Sequence, residues 1–232
     1  MHLNWQTINT VFLDMDGTLL DLNYDNQFWQ HHLPKRYAQQ YGLSLETAKN
    51  ILFSRYTDML GTLEWYCVDY WSTQLNMDVG ALKAELAHLI AIHPYVNDFL
   101  LALRQNHKRT ILVTNAHHKS LSLKTQHTQI TQHFDHVICA HDLGLPKEAP
   151  DFWDKLQQIE SYNPAHTLLI DDSLSVLQSA ANYGIAHLLG IKQPDSQAPP
   201  KEVGEFRAIY SFREIMPHND LLDNGELVMG NG

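Results

Sequence analysis

Short runs of apolar residues recur along the chain, and most of them end in polar residues or are followed by them. The runs cover residues 10–15, 109–114, 135–140, 166–171 and 185–189. Each is short, apolar and bounded by turn-forming residues, so each predicts a strand that is buried on both faces. Segments with helical spacing lie between them, at 96–106, 119–129, 151–160 and 173–183. Strands that alternate with helices predict an α/β fold with a doubly wound parallel sheet.

One long stretch breaks this alternation. Residues 23–92 contain no convincing strand but have helical patterns at 44–60, 63–75 and 78–92, the first of which begins at Ser44 as N-cap. We expect residues 23–92 to form an inserted all-helical cap domain, and residues 1–22 and 93–232 to form the α/β core domain. Prolines predict a surface loop over 193–205, and 219–232 is expected to be a weakly ordered tail.

Composition and charge narrow the class of protein. With 232 residues, 44% of them hydrophobic and 18% charged, the chain is typical of a folded protein with a substantial core. A formal net charge of -10 argues against binding to nucleic acid or to an anionic membrane. There is no apolar run of about 18 residues and the N-terminus lacks the layout of a signal peptide, so a cytoplasmic protein is expected.

The cysteines and histidines form no recognisable metal motif along the sequence. Cys67 and Cys139 are far apart, which disfavours a disulfide framework and a thiolate zinc site. Fifteen histidines are scattered without an HExxH or similar spacing, so surface or structural roles are expected for most of them.

Polar side chains follow four of the predicted strands. They are Asp14 and Asp16, Thr114 and Asn115, Lys147, and Asp171 and Asp172. Ligands of open parallel sheets bind outside the carboxyl ends of the strands, so these side chains are candidates for one site. Lys119 and Lys155 are rivals of Lys147 for the cationic position, but Lys147 has the better position, in the loop after the third strand and 24 residues before Asp171.

Four aspartates in one place repel each other unless a cation is bound. Oxygen ligands alone favour Mg²⁺ over Zn²⁺. Beside such an ion, Lys147 can bind phosphate oxygens as a point charge and Thr114 through its hydroxyl. The residues therefore predict a magnesium site that binds a phosphate group.

These motifs resemble those of the haloacid dehalogenase superfamily. The sequence Asp14-Met15-Asp16-Gly17-Thr18, followed in order by Thr114-Asn115, Lys147 and Asp171-Asp172, matches the four motifs of that family. The resemblance implies a doubly wound core with an inserted cap, dependence on Mg²⁺, and an aspartyl-phosphate intermediate. One departure is Glu148, because a proline commonly follows the lysine of the third motif.

The resemblance also implies a role for each matched residue. Asp14 would be the nucleophile and Asp16 the general acid and base. Asp14, the main-chain carbonyl of Asp16, Asp171 and Asp172 would hold Mg²⁺. Main-chain amides near Met15, Gly17 and Asn115, together with Thr114 and Lys147, would bind the phosphate.

A narrower resemblance concerns the substrate. Residues 13–22, 65–71 and 112–117 are similar to a bacterial GMP/IMP nucleotidase subgroup, which implies a 5'-nucleotidase for purine mononucleotides. Asp16 disfavours a dehalogenase, because dehalogenases lack that acid. Two alternatives remain open: a phosphatase or phosphomutase for a sugar phosphate or phosphoglycolate, and a catalytically silent binding protein.

The most distinctive part of the predicted cap is its aromatic stretch at 65–71. An aromatic helix face is more often packed core than a ligand platform. The alternative is that Trp65 or Tyr66 stacks on a substrate base while Asp69 binds its polar edge. Basic residues in 23–92 are fewer than acidic ones, which favours a monophosphate over a polyphosphate.

Overall fold

Six strands form one parallel sheet within residues 3–217, the part of the chain that the computed structural model describes. They are β1 Thr10–Leu13, β2 Arg109–Thr114, β3 His136–Cys139, β4 Thr167–Asp171, β5 His187–Ile191 and β6 Ala208–Ile209. Their order is β3-β2-β1-β4-β5-β6. Five of them confirm predicted strands. β6 was not predicted, because two residues are too short to show an alternating pattern.

The α-helices connect these strands or lie between β1 and β2. In chain order they are α1 Asn23–Gln27, α2 Leu33–Tyr41, α3 Leu45–Met59, α4 Val68–Leu75, α5 Val79–Ala84, α6 Val96–Gln105, α7 His118–Thr128, α8 Ala140–Leu143, α9 Phe152–Ile159 and α10 Leu174–Tyr183. A π-helix at Phe28–His32 joins α1 to α2. Short 3-10 helices lie at Trp5–Thr7, Glu64–Tyr66, Ala87–Leu89, Ile130–His133, Pro164–His166 and Phe212–Ile215.

Alternate residues of β1 pack on opposite faces of the sheet. Leu13 belongs to a buried cluster with Phe99 of α6, whereas Phe12 belongs to a second cluster with Trp153 of α9 and Leu177 of α10. All five side chains are fully buried, and each such burial stabilises the fold by about 1.5–3 kcal/mol. Helices therefore cover both faces, and the predicted doubly wound sheet is confirmed.

Residues 23–92, called the helical insertion below, are helical without a strand of their own. Their buried side chains, from Phe28 to Leu82, form a third cluster separate from those of the sheet. The two chain segments that lead in and out run side by side, with Asp21 N bonded to Ala91 O and His93 N to Leu19 O, each at 2.9 Å. The division into domains at residues 22 and 92 stays a prediction.

The helical insertion differs from the sequence prediction at its end. One amphipathic helix was expected over 78–92, but α5 stops at Ala84 and a 3-10 turn follows at Ala87–Leu89. Ile92 pairs with Leu20 in an isolated bridge. The chain must be extended there to reach Leu20, so tertiary pairing ends the helix.

The start of α3 and the loop near the end of the described chain agree with the sequence predictions. The hydroxyl of Ser44 accepts from Thr47 N at 3.1 Å, which confirms Ser44 as the N-cap of α3. Residues 193–205 form a loop as expected, whereas the predicted tail at 219–232 lies outside the described residues. None of the helices in residues 3–217 has both the length and the apolar character needed to span a membrane.

Candidate active site

The loop after β1 carries Asp14 and Asp16 and turns sharply. Gly17 N donates to Leu20 O, and Leu20 N donates to Met15 O, both at 2.8 Å. Gly17 has φ +82°, and a Cβ atom there would lie 2.8 Å from Cγ of Asp172. Only glycine fits both the backbone conformation and this close approach, so Gly17 brings the β1 loop against the loop after β4.

Lys147 lies at the centre of the site predicted from the strand ends. It is 1% exposed, and its Nζ donates to Asp14 Oδ1 and Asp171 Oδ2, each at 2.6 Å, and to Val113 O at 3.0 Å. Burial alone would lower the pKa of Lys147, but Asp14 and Asp171 outweigh it and raise the pKa, so the lysine stays charged.

The two rival lysines lie elsewhere. Lys119 is exposed and pairs with Asp69 at 2.5 Å, while Lys155 bonds the main-chain oxygen of Leu143 at 3.2 Å. Lys147 is therefore the lysine that the fold places beside Asp14.

Three carboxylates meet next to Lys147. Asp14, Asp171 and Asp172 each offer an oxygen, and these oxygens lie within 4.8 Å of one another. Burial raises the pKa of each to about 6, and charge repulsion within the group adds to the rise, whereas Lys147 and Lys201 lower it. A buried cluster of hard oxygen donors with destabilised negative charge fits a divalent cation such as Mg²⁺.

Asp16 faces a different part of the molecule. Its Oδ1 lies 2.6 Å from Nζ of Lys124, at the distance but not the angles of a hydrogen bond. Lys124 also contacts Asp25 Oδ2 at 2.5 Å, and Asp25 Oδ1 accepts from Lys83 at 2.8 Å. Burial raises the pKa of Asp16 to about 6, with Lys124 acting against it. Asp16 is thus a carboxyl group that can hold or release a proton near neutral pH.

Sequence reasoning did not identify Asp25, Lys83, Lys124 or Lys201. Lys124 lies four residues after Ser120, and both are buried on the inward side of α7. Polar residues four positions apart on the buried face of a helix indicate that this face contacts a charged group. Asp16 and Asp25, the partners of Lys124, lie 108 and 99 residues away in the chain, so spacing alone could not reveal them.

Three polar groups form hydrogen bonds within the loops around the carboxylates: the Thr114 hydroxyl, the Asn115 side-chain amide and the main-chain N–H of Met15. The hydroxyl of Thr114 accepts from Ala116 N at 3.0 Å. Asn115 accepts from Lys147 N through Oδ1 and donates to Glu148 Oε2 through Nδ2, both at 2.9 Å. The amide side chain of Asn115 therefore fixes the position of Lys147. Met15 donates its main-chain N–H to the carboxylate of Asp14 and buries its side chain in the core.

The helical insertion contributes Tyr66 to this region. Its hydroxyl donates to Glu148 Oε1 at 2.6 Å, so Glu148, at the position where the family commonly has proline, joins Asn115 to the insertion. Trp65 packs among other aromatic rings, 5.6 Å from Tyr56 and 6.3 Å from Trp71 between ring centroids. Asp69 is exposed and pairs with Lys119. Of the three predicted specificity residues, Tyr66 reaches the active-site loops.

Comparisons with known proteins agree with this geometry. Residues 8–184 match the haloacid dehalogenase-like hydrolase family. The chain is 38% identical over 219 residues to the GMP/IMP nucleotidase YrfG of Escherichia coli (strain K12), a match that covers 94% of this chain and 99% of the relative. The GMP/IMP nucleotidase YrfG of Shigella flexneri matches with the same identity and coverage.

Solved structures show the same fold at lower sequence identity. A HAD phosphatase from Thermococcus onnurineus superposes with a TM-score of 0.73 at 19% identity, covering 89% of this chain and 95% of that one. An L-2-haloacid dehalogenase from Xanthobacter autotrophicus gives a TM-score of 0.56 at 16% identity, covering 80% and 78%. The family match, the close relatives and the shared fold together show that this chain belongs to the haloacid dehalogenase-like hydrolases and is an enzyme of that family.

Proposed function

We propose that this hydrolase is a Mg²⁺-dependent phosphatase that acts through an aspartyl-phosphate at Asp14, and that its substrate is a purine nucleoside monophosphate such as GMP or IMP. The observation that carries the chemistry is the contrast between Asp14 and Asp16. Asp14 pairs with Lys147 at the carboxyl edge of the sheet, whereas Asp16 pairs with Lys124 of α7, beside the helical insertion. Two carboxylates in different surroundings suit two different roles.

The first half of the reaction is transfer of the phosphoryl group to Asp14. A carboxylate oxygen of Asp14 attacks phosphorus, and the bond from phosphorus to the ester oxygen of the substrate breaks. Protonated Asp16 gives its proton to that oxygen, so the alcohol leaves as a neutral molecule. Lys147, the hydroxyl of Thr114 and main-chain amides near Met15, Gly17 and Asn115 would bind the phosphoryl oxygens.

The second half is hydrolysis of the acyl phosphate. Asp16 is now a carboxylate and takes a proton from a water molecule, whose oxygen attacks phosphorus. The bond from phosphorus to the Asp14 oxygen breaks, which releases inorganic phosphate and restores both carboxyl groups. Water is consumed once, and Asp16 ends the cycle protonated as it began.

The proposed metal ligands are Asp14, Asp171, Asp172 and the main-chain carbonyl of Asp16. The three side chains already bring oxygens within 4.8 Å of one another. When bound, Mg²⁺ would supply positive charge that attracts the phosphate dianion and offsets the repulsion between it and Asp14. Lys201 Nζ donates to Asp172 Oδ2 at 2.9 Å, so this carboxylate also has a positively charged partner.

The nucleotide substrate is supported by the relatives and by the placement of Tyr66. The YrfG relatives, named GMP/IMP nucleotidases, match 94% of this chain, including the helical insertion. Tyr66, a predicted specificity residue, lies at the junction between the insertion and the loops that carry Asn115 and Lys147. An aromatic ring at that junction suits a substrate with a planar base.

The test is phosphate release from a panel of monophosphates. GMP, IMP, AMP, pyrimidine monophosphates, phosphoglycolate and sugar phosphates are each incubated with Mg²⁺ and with chelator. We expect GMP and IMP to be hydrolysed fastest and chelator to stop the reaction. A leading substrate outside the nucleotides would contradict the substrate proposal while leaving the phosphatase chemistry intact. No release from any of them in Mg²⁺ would contradict both.

A further inference from the structure

A second group of metal-binding side chains lies where the helical insertion meets the ends of β2 and β3. Cys67, His117 and His141 each offer one ligand atom, and these atoms lie within 4.8 Å of one another. Cys67 belongs to the insertion and precedes α4, whereas His117 and His141 belong to the segments after β2 and β3. The three residues are 50 and 24 positions apart in the chain, so only folding brings them together.

His141 has a ring nitrogen that lacks a partner. Its Nε2 is buried and has no hydrogen bond within residues 3–217. The main-chain oxygen of Asn115 accepts a hydrogen bond from the ring, which must come from the other nitrogen, Nδ1. Burial, with His117 nearby, lowers the pKa of His141 to about 4, so the ring is neutral at physiological pH. A neutral imidazole held by a main-chain acceptor and with a free Nε2 lone pair has the features of a metal ligand.

The other two residues can complete a ligand set. His117 Nδ1 accepts from Lys119 N at a long 3.3 Å, and its Nε2 lies 3.7 Å from Asp69. Burial lowers the pKa of His117, so it also offers a neutral ring. Ligation through Nε2 would protonate Nδ1 and give up the long bond to Lys119. Cys67 Sγ accepts from Tyr70 N at 3.4 Å where the chain enters α4, so its sulfur is held at the junction with the two histidines.

We propose that Cys67, His117 and His141 form a three-ligand site for a soft divalent ion such as Zn²⁺, and that the bound ion holds the helical insertion against the sheet. One sulfur and two imidazole nitrogens suit Zn²⁺, whereas Mg²⁺ prefers oxygen. The site is therefore chemically distinct from the aspartate cluster. Because one ligand comes from the insertion and two come from the core, ion binding opposes any opening that lets substrate enter or product leave.

A neighbouring group lacks these features and supplies control variants. His118, Cys139 and Asp142 also lie close together. However, the thiol of Cys139 donates to Ala116 O at 3.2 Å, and burial raises its pKa to about 11. His118 is exposed and bonds Asp142 at 2.8 Å. The Cys139 thiol and His118 Nε2 therefore already have partners, and the raised pKa keeps the thiol protonated at neutral pH.

The binding test uses Co²⁺ as a spectroscopic substitute for Zn²⁺, titrated into the full chain in excess Mg²⁺. We expect a thiolate-to-cobalt charge-transfer band in the near ultraviolet. Cys67→Ser, which keeps a side chain able to cap α4, should lose this band. His141→Ala should weaken binding at least about tenfold, the lower end of the loss seen even for outer-shell partners. Cys139→Ala and His118→Ala should keep both the band and the affinity.

Two results of that titration would contradict the proposed metal site. One is the absence of the band in wild-type protein whose circular dichroism shows it to be folded. The other is a band that persists in Cys67→Ser. Because neither readout involves turnover, the titration is informative whether or not the protein proves to be a phosphatase.

The effect on the insertion is tested by inhibition. In excess Mg²⁺, added Zn²⁺ should slow the hydrolysis of 4-nitrophenyl phosphate by the wild type. The same Zn²⁺ concentration should hardly change the rate of His141→Ala, compared with the rate of that variant without Zn²⁺. Binding without inhibition, or equal inhibition of the variant, would show that the ion does not restrain the insertion. A complete lack of hydrolysis would contradict the phosphatase proposal and not the metal site.

Discussion

Asp14 and Asp16 are two residues apart on one loop, yet their side chains have different partners. Asp14 is hydrogen-bonded to Lys147 in the centre of the carboxylate group, and Asp16 contacts Lys124. The sequence shows the spacing of the two acids but not these partners. The two proposed roles differ, because a nucleophile reacts as a carboxylate, whereas an acid has to hold a proton until the leaving group needs it.

Replacing Asp16 should affect substrates according to their leaving groups. For Asp16→Asn we expect kcat/KM for GMP to fall by about 10²- to 10⁴-fold, the usual effect of losing a positioned acid. The fall should be smaller for 4-nitrophenyl phosphate, since nitrophenolate leaves with little need of a proton. Equal falls for both substrates would contradict the role of Asp16 as acid. Asp14→Asn is the matched control and should hydrolyse neither substrate, because an amide does not attack phosphorus.

Lys124 should matter for stability as well as chemistry. It is 1% exposed and is shared by Asp16 and Asp25, so Lys124→Met leaves two half-buried carboxylates without it. We expect the free energy of unfolding to fall by about 3–5 kcal/mol, as measured when one partner of a buried ion pair is removed. Lys119→Met, which removes the exposed partner of Asp69, should leave stability almost unchanged in the same urea titration. A similar loss of unfolding free energy in both variants would contradict the prediction that the buried position of Lys124 causes its effect on stability.

At the scale of elements, three segments meet at Glu148. The loop after β3 carries Glu148, the loop after β2 carries Asn115, and the helical insertion carries Tyr66. The sequence shows only that Glu148 stands where proline is common in the family. In the structure Glu148 accepts two hydrogen bonds. They join the loop after β3 to the helical insertion and to the loop after β2.

Removing the Tyr66 hydroxyl should weaken this junction. A hydrogen bond to a charged group contributes about 1.5–3 kcal/mol, so Tyr66→Phe should lower kcat/KM for GMP by about 10- to 100-fold. Glu148→Gln should lose less, because its amide oxygen still accepts from Tyr66. Tyr70→Phe, which removes a hydroxyl bonded to the sulfur of Met59 within the insertion, is the control. An unchanged kcat/KM in Tyr66→Phe would contradict a role for this contact.

At the scale of the whole molecule, we expect Asp14, Asp171 and Asp172 to make stability depend on pH and, under the proposed Mg²⁺ binding, on the metal. The pKa values of Asp14, Asp171 and Asp172 are raised from 3.8 to about 6. A carboxyl group with a raised pKa in the folded state contributes stability that is full below the unfolded pKa and lost as pH rises through the folded pKa. The metal-free protein should therefore lose this contribution between about pH 4 and pH 6.

Mg²⁺ should restore stability where the carboxylates are charged. At a hundredfold excess over its Kd, a ligand stabilises the folded state by about 2.7 kcal/mol. For a chain of this size that corresponds to a rise in Tm of about 5–10 °C. We expect such a rise at about pH 8 and a much smaller one at about pH 5, where protons compete for the same oxygens. Scanning calorimetry with Mg²⁺ and with NaCl of matched ionic strength measures it, and an equal rise at both pH values would contradict the prediction.

The sequence by itself determined five of the six strands, most helices and the four motifs. Apolar runs end in polar residues because parallel strands are buried along their length and exposed at their carboxyl ends, and this pattern is local. The family prediction, made from Asp14, Thr114, Lys147 and Asp171 in order, is confirmed by the family match.

Only the tertiary structure decided which side chains became partners. Lys124 meets Asp25, Tyr66 meets Glu148, and Cys67 meets His141. Each pair joins the helical insertion to the core over 74 to 99 residues of chain. The periodicity of apolar residues predicts which side of a helix or strand is buried, but it does not predict which residues pack against that side. Contacts between the helical insertion and the rest of the chain depend on how separate hydrophobic clusters pack against each other, and that is a property of the folded molecule.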